Sequence, residues 1–309
     1  MVFGKLIERK NVKIVKIAGG LGNQMFQYAF ALHLKNVTNE EVKIDVSSFD
    51  RHRYHNGYEI DTVFGQKLRK CSDKERKERS STGSGFAQKL KKILFNVKNT
   101  KYVEQGLPYN SNLDYQKEYF AGYWQSEKYF HAIKDGIKDF FTFSDPQDKT
   151  NIKLLKKIKK SDSVSIHVRR GDYVNHPLYG GICDIDYYKN AIEYIRTNIE
   201  SPVVFIFSND MQWCKENLHL SDANYIDWNQ GADSFRDMQL MSECKHNIIA
   251  NSSFSWWGAW LNKHSDKIVI APSKWFNSED MDARDIIPDG WIKTSTTREP
   301  LVASGTSRL

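Results

Sequence analysis

Short apolar runs alternate with helical patterns along the second half of the chain. Between 164 and 168, apolar Val, Ile and Val alternate with Ser and His, which is the two-residue period of a β-strand. Strands that alternate with helices are typical of a parallel sheet with helices on both faces, so this half predicts an α/β fold. The other predicted strands are 203–207, 247–250 and 267–271, and the predicted helices are 187–199, 211–217, 235–244 and 255–263.

The first half opens with a predicted strand, a glycine turn and a helix. The strand covers 12–18, the turn is the Gly-Gly-Leu-Gly-Asn of 19–23, and the helical pattern runs from 24 to about 35. This is the opening of a nucleotide-type βα unit, in which Gly20 and Gly22 let the backbone approach a ligand. The alternative is a plain tight turn before a helix, since the spacing is neither GxGxxG nor that of a phosphate loop.

A Pro-containing stretch at 144–146, followed by a lysine-rich helix, predicts a boundary between two domains. We therefore expect domains at 1–150 and 151–293, and a flexible tail at 294–309 that contains few apolar residues. The remaining elements predicted near the boundary and before it are strands at 42–46 and 119–124, a loop at 47–58, and helices at 128–141 and 151–160.

Length and composition narrow the class of protein. The 309 residues suit one large or two ordinary domains with ample core. With 40% hydrophobic and 27% charged residues and no run near the roughly 20 apolar residues of a membrane span, a soluble globular protein is expected. The N-terminus lacks the apolar core of a signal peptide, and cysteines without a disulfide pattern favour a reducing cytoplasm. The four cysteines are widely spaced and form no CxxC pair, so neither zinc nor a disulfide framework is indicated.

The net charge of +7 is concentrated in one region. The segment 66–101 holds 12 Lys or Arg and 3 Asp or Glu, so the rest of the chain sums to −2. We interpret this segment as a basic insertion, which contains an amphipathic helix predicted at 86–95. Such a helix either touches an anionic membrane surface or packs on its own domain with solvated lysines. Nucleic acid is not expected as a partner, because the segment lacks interleaved aromatic residues.

Two arginines follow the strand at 164–168 directly. Arg169 and Arg170 precede Gly171 and Asp172, and planar guanidinium groups match the oxygens of a phosphate. Loops after the carboxyl ends of parallel strands are the usual ligand sites of open α/β sheets. The alternative is a salt-bridged strand end that only stabilises the fold.

Two other predicted strands also end in polar residues. Ser-Asn-Asp at 208–210, with Asn209 as a candidate ligand contact, follows 203–207, and Asn-Ser-Ser at 251–253 follows 247–250. Either group could simply cap the next helix. Because the carboxyl ends of parallel strands lie on one edge of a sheet, their convergence with the arginines predicts a diphosphate site.

Asp184-Ile185-Asp186 has the DxD form that many sugar-nucleotide enzymes use to hold a divalent metal. Asp186 directly precedes a helical pattern, which favours a helix cap. Since two arginines are available to neutralise phosphate charge, no metal and no cofactor are expected.

The chain resembles the α-1,2-fucosyltransferase family, in particular its bacterial branch. The resemblance covers 12 to about 293 and rests on four segments together, 19–29, 167–174, 207–210 with Trp213, and 241–260. It implies a GT-B type fold, in which two Rossmann-like domains with parallel sheets face a central cleft. It also implies inverting, metal-independent transfer of fucose from GDP-β-L-fucose to the 2-hydroxyl of a galactose.

The resemblance also implies roles for particular residues on the phosphate side of the donor. Arg169 would contact the diphosphate and stabilise the departing GDP, with Arg170 in support. Ser252, Ser253 and Phe254 would line the phosphates. This agrees with the chemistry, because breaking a glycosyl–phosphate bond builds negative charge that cations placed in advance can stabilise.

Further roles implied by the resemblance concern the nucleoside and the sugar. His167 would lie near the guanosine, Asp237 would read the guanine edge, and Asn23 would face the sugar or the acceptor. Asp172 is a candidate for the base that takes the proton of the incoming hydroxyl, although pinning Arg169 or the turn is the favoured alternative.

The acceptor is expected to be a galactose-terminated oligosaccharide or lipid-linked glycan of a surface polysaccharide of the O-antigen kind. The loops at 47–58 and 173–183 are expected to set its identity. Two rival functions remain open from the sequence. One is a GDP-sugar-binding protein without catalysis, and the other is a fucosyltransferase of another linkage.

Overall fold

Two fully parallel sheets organise the computed structural model, which describes residues 12–51, 55–80 and 100–294. The first sheet has the strand order β3-β2-β1-β5-β4, so its first strand lies at the centre. A helix connects the first two strands, which run parallel, as expected for a βαβ arrangement. Its strands are β1 (Val12–Lys16), β2 (Glu41–Asp45), β3 (Arg69–Lys70), β4 (Lys101–Val103) and β5 (Tyr119–Ala121).

The second sheet has the order β11-β10-β9-β6-β7-β8. Its central strand, β6, pairs along seven residues with β7 and is buried over six of its seven positions. A strand buried on both faces is expected where helices cover both sides of a parallel sheet. The strands are β6 (Asp162–Val168), β7 (Pro202–Ser208), β8 (Asn224–Ile226), β9 (His246–Ile248), β10 (Val269–Pro272) and β11 (Ile292–Thr294).

Helices connect the strands in both halves. In the first half they are α1 (Leu21–Thr38), α2 (Ser48–Arg51), α3 (Ile60–Phe64), α4 (Asp73–Ser80) and α5 (Lys134–Phe140). In the second half they are α6 (Lys149–Lys159), α7 (Ile185–Asn198), α8 (Met211–Asn217), α9 (Phe235–Glu243) and α10 (Ser253–Leu261). Among the residues that the structure describes, no helix combines the length and the apolar character that crossing a bilayer requires.

The predicted α/β fold is confirmed, with differences where strands are short and polar. The prediction omitted β3, β4, β8 and β11, which have only two or three residues each. Such strands form because a neighbouring strand supplies hydrogen bonds, and their own sequences carry little periodicity. The ends of the presumed basic insertion therefore belong to the first sheet, as β3 and the start of β4. The predicted helix at 86–95 and the tail after Thr294 lie outside the described residues.

The helix predicted over 128–141 is interrupted in the structure. Two single 3₁₀ turns, Glu127–Tyr129 and His131–Ile133, precede α5. Between them Phe130 leaves the helical conformation, with φ −131°, and its buried ring stacks on Trp257 at 5.6 Å between centroids. Tertiary packing of this aromatic side chain therefore overrides the local helical pattern.

One apolar core joins the two halves of the molecule. Helix α1 is buried almost continuously from Leu21 to Leu34, and its Phe26 ring lies 4.5 Å from Trp256 and 5.0 Å from Trp257 of α10. The predicted boundary near 150 does lie between the last strand of the first sheet and the first strand of the second. That the halves are separate domains stays a prediction, because α1 and α10 share this core.

Gly22 permits the closest approach between the halves. A Cβ at this position would lie 2.5 Å from the carbonyl carbon of Ser253 and 2.7 Å from the amide nitrogen of Phe254. The Gly22 carbonyl also accepts a hydrogen bond of 2.9 Å from Nε1 of Trp257. The glycine is therefore required by a backbone-to-backbone contact between the starts of α1 and α10.

Replacing Gly22 with Ala should destabilise the protein by about 1–3 kcal/mol, the usual cost of overpacking a rigid contact. The matched control is Gly136→Ala in the middle of α5, where a Cβ meets no atom of the described residues within 4 Å. That change should stabilise the helix by about 0.5–1 kcal/mol. Denaturant unfolding of both variants measures the difference. Equal stabilities for Gly22→Ala and the wild type would contradict the contact.

Candidate active site between the two sheets

Residues that follow the carboxyl ends of strands in both sheets line a shared cavity of about 720 Å³. This is the arrangement predicted for a cleft between two Rossmann-like halves. Eleven of the twelve residues predicted for the site border it, namely Gly20, Gly22, Asn23, His167, Arg169, Asp172, Asn209, Asp237, Ser252, Ser253 and Phe254.

The Arg169 guanidinium is held by Asp172. Its Nη2 lies 2.9 Å and 2.8 Å from the two carboxylate oxygens, and the cation lies 5.4 Å from the Tyr173 ring centroid. The Nε of Arg169 is buried and has no hydrogen-bond partner in the described part of the chain. A carboxylate engaged through both oxygens is poorly placed to take a proton. The geometry therefore favours the alternative role of Asp172, which is to fix Arg169.

Arg170 lies away from the main cavity. Its guanidinium stacks 4.1 Å from the Trp213 ring centroid, and its Nε donates to Asp210 Oδ2 at 3.1 Å. Asp210 also caps α8 by accepting from the Trp213 amide at 3.2 Å. Arg170 lines a smaller adjoining cavity of about 330 Å³ instead. The side chain joins the ends of β6 and β7 in this position, and its supporting contact with the donor stays a prediction.

Asn209 stabilises the arginine turn, which consists of residues 169–172. Its Oδ1 accepts from the Arg170 amide at 2.9 Å, and its Nδ2 donates to Asp172 Oδ1 at 3.4 Å. A Cβ on Gly171 would lie 2.4 Å from the same Nδ2. A side chain at Gly171 would therefore displace the Asn209 amide, through which the polar end of β7 fixes the polar end of β6.

His167 is buried in the wall of the cavity, with 5% of its surface exposed. Burial and the neighbouring Arg169 charge lower its pKa to about 3, so the ring is neutral. Its Nδ1 is buried and has no hydrogen-bond partner among the described residues. A buried polar atom of this kind in a cavity wall is suited to a ligand.

Asp237 lies in the first turn of α9 and also borders the cavity. Burial raises the pKa of its carboxyl to about 7, although a 2.8 Å hydrogen bond from Asn229 Nδ2 partly offsets this effect. Asn229 is held in turn by Asn151, with side-chain hydrogen bonds of 2.8 Å and 3.2 Å between them. The carboxyl is therefore fixed in place and able to exist in either charge state near neutral pH.

Two helix N-termini meet at the cavity. Helix α10 is capped by Ser252, whose hydroxyl accepts from the Phe254 amide at 3.4 Å. Helix α1 begins after Gly20, which has no side-chain cap, and Asn23 in its first turn accepts from Gln125 Nε2 at 2.7 Å. The dipoles of the two helices give this part of the cavity a positive potential, which suits an anion.

Several residues of the site were absent from the sequence prediction. Gln24 does not border the cavity itself, but it is fully buried beside it and holds two loops in place by donating to the carbonyls of Gly19 at 2.9 Å and Gly57 at 2.8 Å. Tyr123 and Gln125 follow β5 as the arginines follow β6, but the strand predicted over 119–124 placed Tyr123 inside the strand and not after its end. The other cavity residues that were missed include His55, Glu59 and Asn229.

The DxD segment is a helix cap, but the capping residue differs from the prediction. Asp184 caps α7 by accepting from the Tyr187 amide at 2.9 Å, and Asp186 already lies within the helix. Within 12–51, 55–80 and 100–294, no group of three or more His, Cys, Asp or Glu is arranged to hold a metal ion. Transfer without a metal stays a prediction.

Residues 5–295 match the profile of glycosyl transferase family 11. The chain belongs to this family. The relatives of this glycosyltransferase include an α-1,2-colitosyltransferase of Escherichia coli, 33% identical over 92% of this chain and 99% of that protein. The O-antigen biosynthesis glycosyltransferase WbnK of Escherichia coli is 33% identical over 89% of this chain and 98% of that one. The human galactoside α-(1,2)-fucosyltransferase 1 is 30% identical over 46% of this chain and 42% of its own.

The fold of the family 11 glycosyltransferase resembles that of NodZ, an α-1,6-fucosyltransferase co-crystallised with GDP. The TM-score is 0.50 at 13% identity, and the match covers 81% of this chain and 92% of the NodZ chain. This likeness confirms the predicted GT-B type architecture.

Asp237→Asn should flatten the pH dependence of stability between about pH 4 and pH 7. Because burial raises the pKa of this carboxyl from 3.8 to about 7, the folded chain keeps a proton that the unfolded chain releases above about pH 4. As the pH rises from about 4 to 7, the free energy of unfolding of the wild type should therefore fall by at least about 1 kcal/mol more than that of the variant. Chemical unfolding at several pH values measures this, with exposed Asp222→Asn as control. Parallel profiles for wild type and Asp237→Asn would exclude the shift.

Proposed function

We propose that the protein transfers L-fucose from GDP-β-L-fucose to the 2-hydroxyl of a galactose, with inversion and without a metal. The observation that carries the proposal is the convergence on one cavity of the Arg169 guanidinium, two helix N-termini and the Asp237 carboxyl. Membership of glycosyl transferase family 11 supports it, as do relatives named as α-1,2-transferases and as a galactoside fucosyltransferase.

The order of the strands suggests how the donor lies in the cleft. Asp237 and Asn229 are on the β8 side of the second sheet, whereas Arg169 follows the central strand and Ser252 follows β9. An ionised carboxylate can accept from both N1–H and the 2-amino group of guanine, which adenine cannot offer. We place the guanine at Asp237 and the diphosphate between Arg169 and the start of α10.

The chemistry follows from these positions. The galactose hydroxyl attacks the anomeric carbon from the face opposite GDP, the bond from that carbon to the phosphate oxygen breaks, and GDP leaves with the electron pair. Arg169 and the amide groups at the start of α10 stabilise the charge that develops on the diphosphate. Asp172 keeps the guanidinium in place, so the site needs little reorganisation during the reaction. The hydroxyl proton passes to a basic group or to water.

The natural acceptor is proposed to be a galactose within a surface glycan, either free or linked to a lipid. The relative named as an O-antigen biosynthesis glycosyltransferase supports this class. Synthesis on a lipid-linked acceptor would take place in the cytoplasm at the membrane surface, and contact with anionic lipids there is part of the same proposal.

Colitosyl transfer is a second candidate, favoured by the 33% identity with an α-1,2-colitosyltransferase. Colitose is fucose without its 3-hydroxyl, so both donors present the same leaving group to Arg169. Parallel assays with the GDP derivatives of the two sugars and one galactoside acceptor distinguish the candidates. The preferred donor is the one with the higher kcat/KM.

Arg169→Ala should lower the turnover of fucosyl transfer by at least about a hundredfold, because it removes a donor that stabilises developing charge. Exposed Arg196→Ala on α7 is the matched control and should retain wild-type turnover. The assay uses GDP-fucose and a panel of β1,3- and β1,4-linked galactosides in EDTA.

Three results of that assay would contradict parts of the proposal. Absence of transfer to every galactoside, with either donor sugar, would contradict the function. Loss of activity in EDTA would contradict the metal-free mechanism. Near-normal turnover of Arg169→Ala would exclude this residue from charge stabilisation.

Binding of GDP-fucose should weaken as the pH falls through 7. Only the ionised Asp237 carboxylate accepts two hydrogen bonds from guanine, and a pKa of about 7 leaves a small ionised fraction at pH 6. Between pH 8 and pH 6 we expect the wild-type Kd to rise about tenfold. Calorimetry on wild type, Asp237→Asn and the Asp222→Asn control checks this. The Asp237→Asn variant should bind weakly at both pH values, and a wild-type Kd independent of pH would contradict the guanine contact.

A further inference from the structure

A short turn after β5 projects an aromatic ring toward the cleft. The turn consists of residues 122–125, and its Tyr123 side chain borders the cavity with 49% of the residue exposed. Ligand cavities are commonly lined by aromatic side chains, so an exposed ring at the edge of this cavity is suited to contact a ligand. Gln125, at the other end of the turn, borders the same cavity.

The turn is held in a fixed conformation by Glu104. One carboxyl oxygen, Oε2, accepts from the amides of Tyr123 at 2.6 Å and Trp124 at 3.1 Å. A Cβ on Gly122 would lie 2.5 Å from that same oxygen, so only glycine fits there. Gln27 of α1 donates to the Gly122 carbonyl at 3.1 Å. The backbone that carries Tyr123 is therefore held by hydrogen bonds to two side chains, those of Glu104 and Gln27.

Trp124 adopts an unfavourable backbone conformation to make this turn. Its φ is 56°, in the left-handed region, and its side chain is fully buried. The ring stacks on Phe30 with centroids 3.9 Å apart, which anchors the residue in the core. Strain of this kind costs about 1 kcal/mol or more, and it persists where the surroundings fix the backbone, often at binding sites.

The position of the turn separates it from the groups assigned to the nucleotide. Asp237 and Asn229 are on the β8 side of the second sheet, and Trp275 and Phe276 follow β10 on the opposite side of the central strand. Tyr123, which follows a strand of the first sheet, borders the same cavity as these rings and as Tyr179, whose ring centroid lies 5.7 Å from that of Phe276. The cleft thus has a polar end and an aromatic end.

We propose that the aromatic end binds the acceptor, with the Tyr123 ring stacked on the apolar face of the galactose. This inference rests on the proposed function for the identity of the sugar. One face of a β-galactoside presents C–H groups, which pack well on an aromatic ring, whereas its hydroxyls require polar partners. Gln125 and the Tyr179 hydroxyl border this end and supply such partners. With the diphosphate near Arg169, the acceptor enters from the side opposite the guanine.

Binding of the acceptor and of the nucleotide can be measured separately. Ligand-observed NMR titrations with methyl β-galactoside, lactose and a β1,3-linked galactoside are made in the presence of GDP, and calorimetry gives the Kd of GDP. Tyr123→Ala should weaken galactoside binding about tenfold or more, as truncation of an aromatic anchor does. The Kd of GDP should stay within about twofold. Tyr123→Phe, which keeps the ring, should retain galactoside binding.

Val103→Ala is the matched control, because this exposed residue precedes Glu104 on β4 and lies outside the cavity. It should bind both ligands as the wild type does. Galactoside binding that depends on Tyr123 in a protein that transfers no sugar would uphold the acceptor site and contradict the proposed function. Unchanged galactoside binding in Tyr123→Ala, equal loss of GDP binding, or no galactoside binding by the wild type would overturn the acceptor site.

Discussion

The backbone contact between the starts of α1 and α10 determines the form of the cleft. Gly22 lies against the Ser253–Phe254 peptide, and Trp257 donates to the Gly22 carbonyl, so the two helices begin side by side. As a result, both helix dipoles direct their positive ends toward one cavity. A side chain at position 22 would push the starts of the two helices apart. The positive potential of the two helix dipoles would then be divided between two weaker sites.

The arginine turn shows how neighbouring strand ends hold a charged group in place at the cavity. Asp172 holds the Arg169 guanidinium, Asn209 holds the backbone of the turn, and the Arg170–Asp210 pair joins β6 to β7. Each contact restricts the conformations of the turn in advance, so less conformational entropy is lost when the substrate binds or reacts. Several polar residues of the glycosyltransferase thus hold one cation in position, which is consistent with electrostatic preorganisation.

The sequence was informative where a long apolar strand ends in polar residues. That rule identified Arg169, Asn209 and Ser252, and all three border the cavity. It could not separate Arg169 from Arg170, because their orientations depend on Trp213 and Asp210, which are distant along the chain.

The short strands and the second wall of the site were harder to predict. Strands such as β3 and β8 exist only through their neighbours and have no pattern of their own. Tyr123 was missed because its turn depends on Glu104 and on a left-handed Trp124, neither of which local propensity indicates.

The shared aromatic core of α1 and α10 has a consequence for turnover. Rigid opening of the two halves would expose Phe26 and Trp257 to water, so exchange of substrates and products should proceed through movement of loops at the cleft mouth.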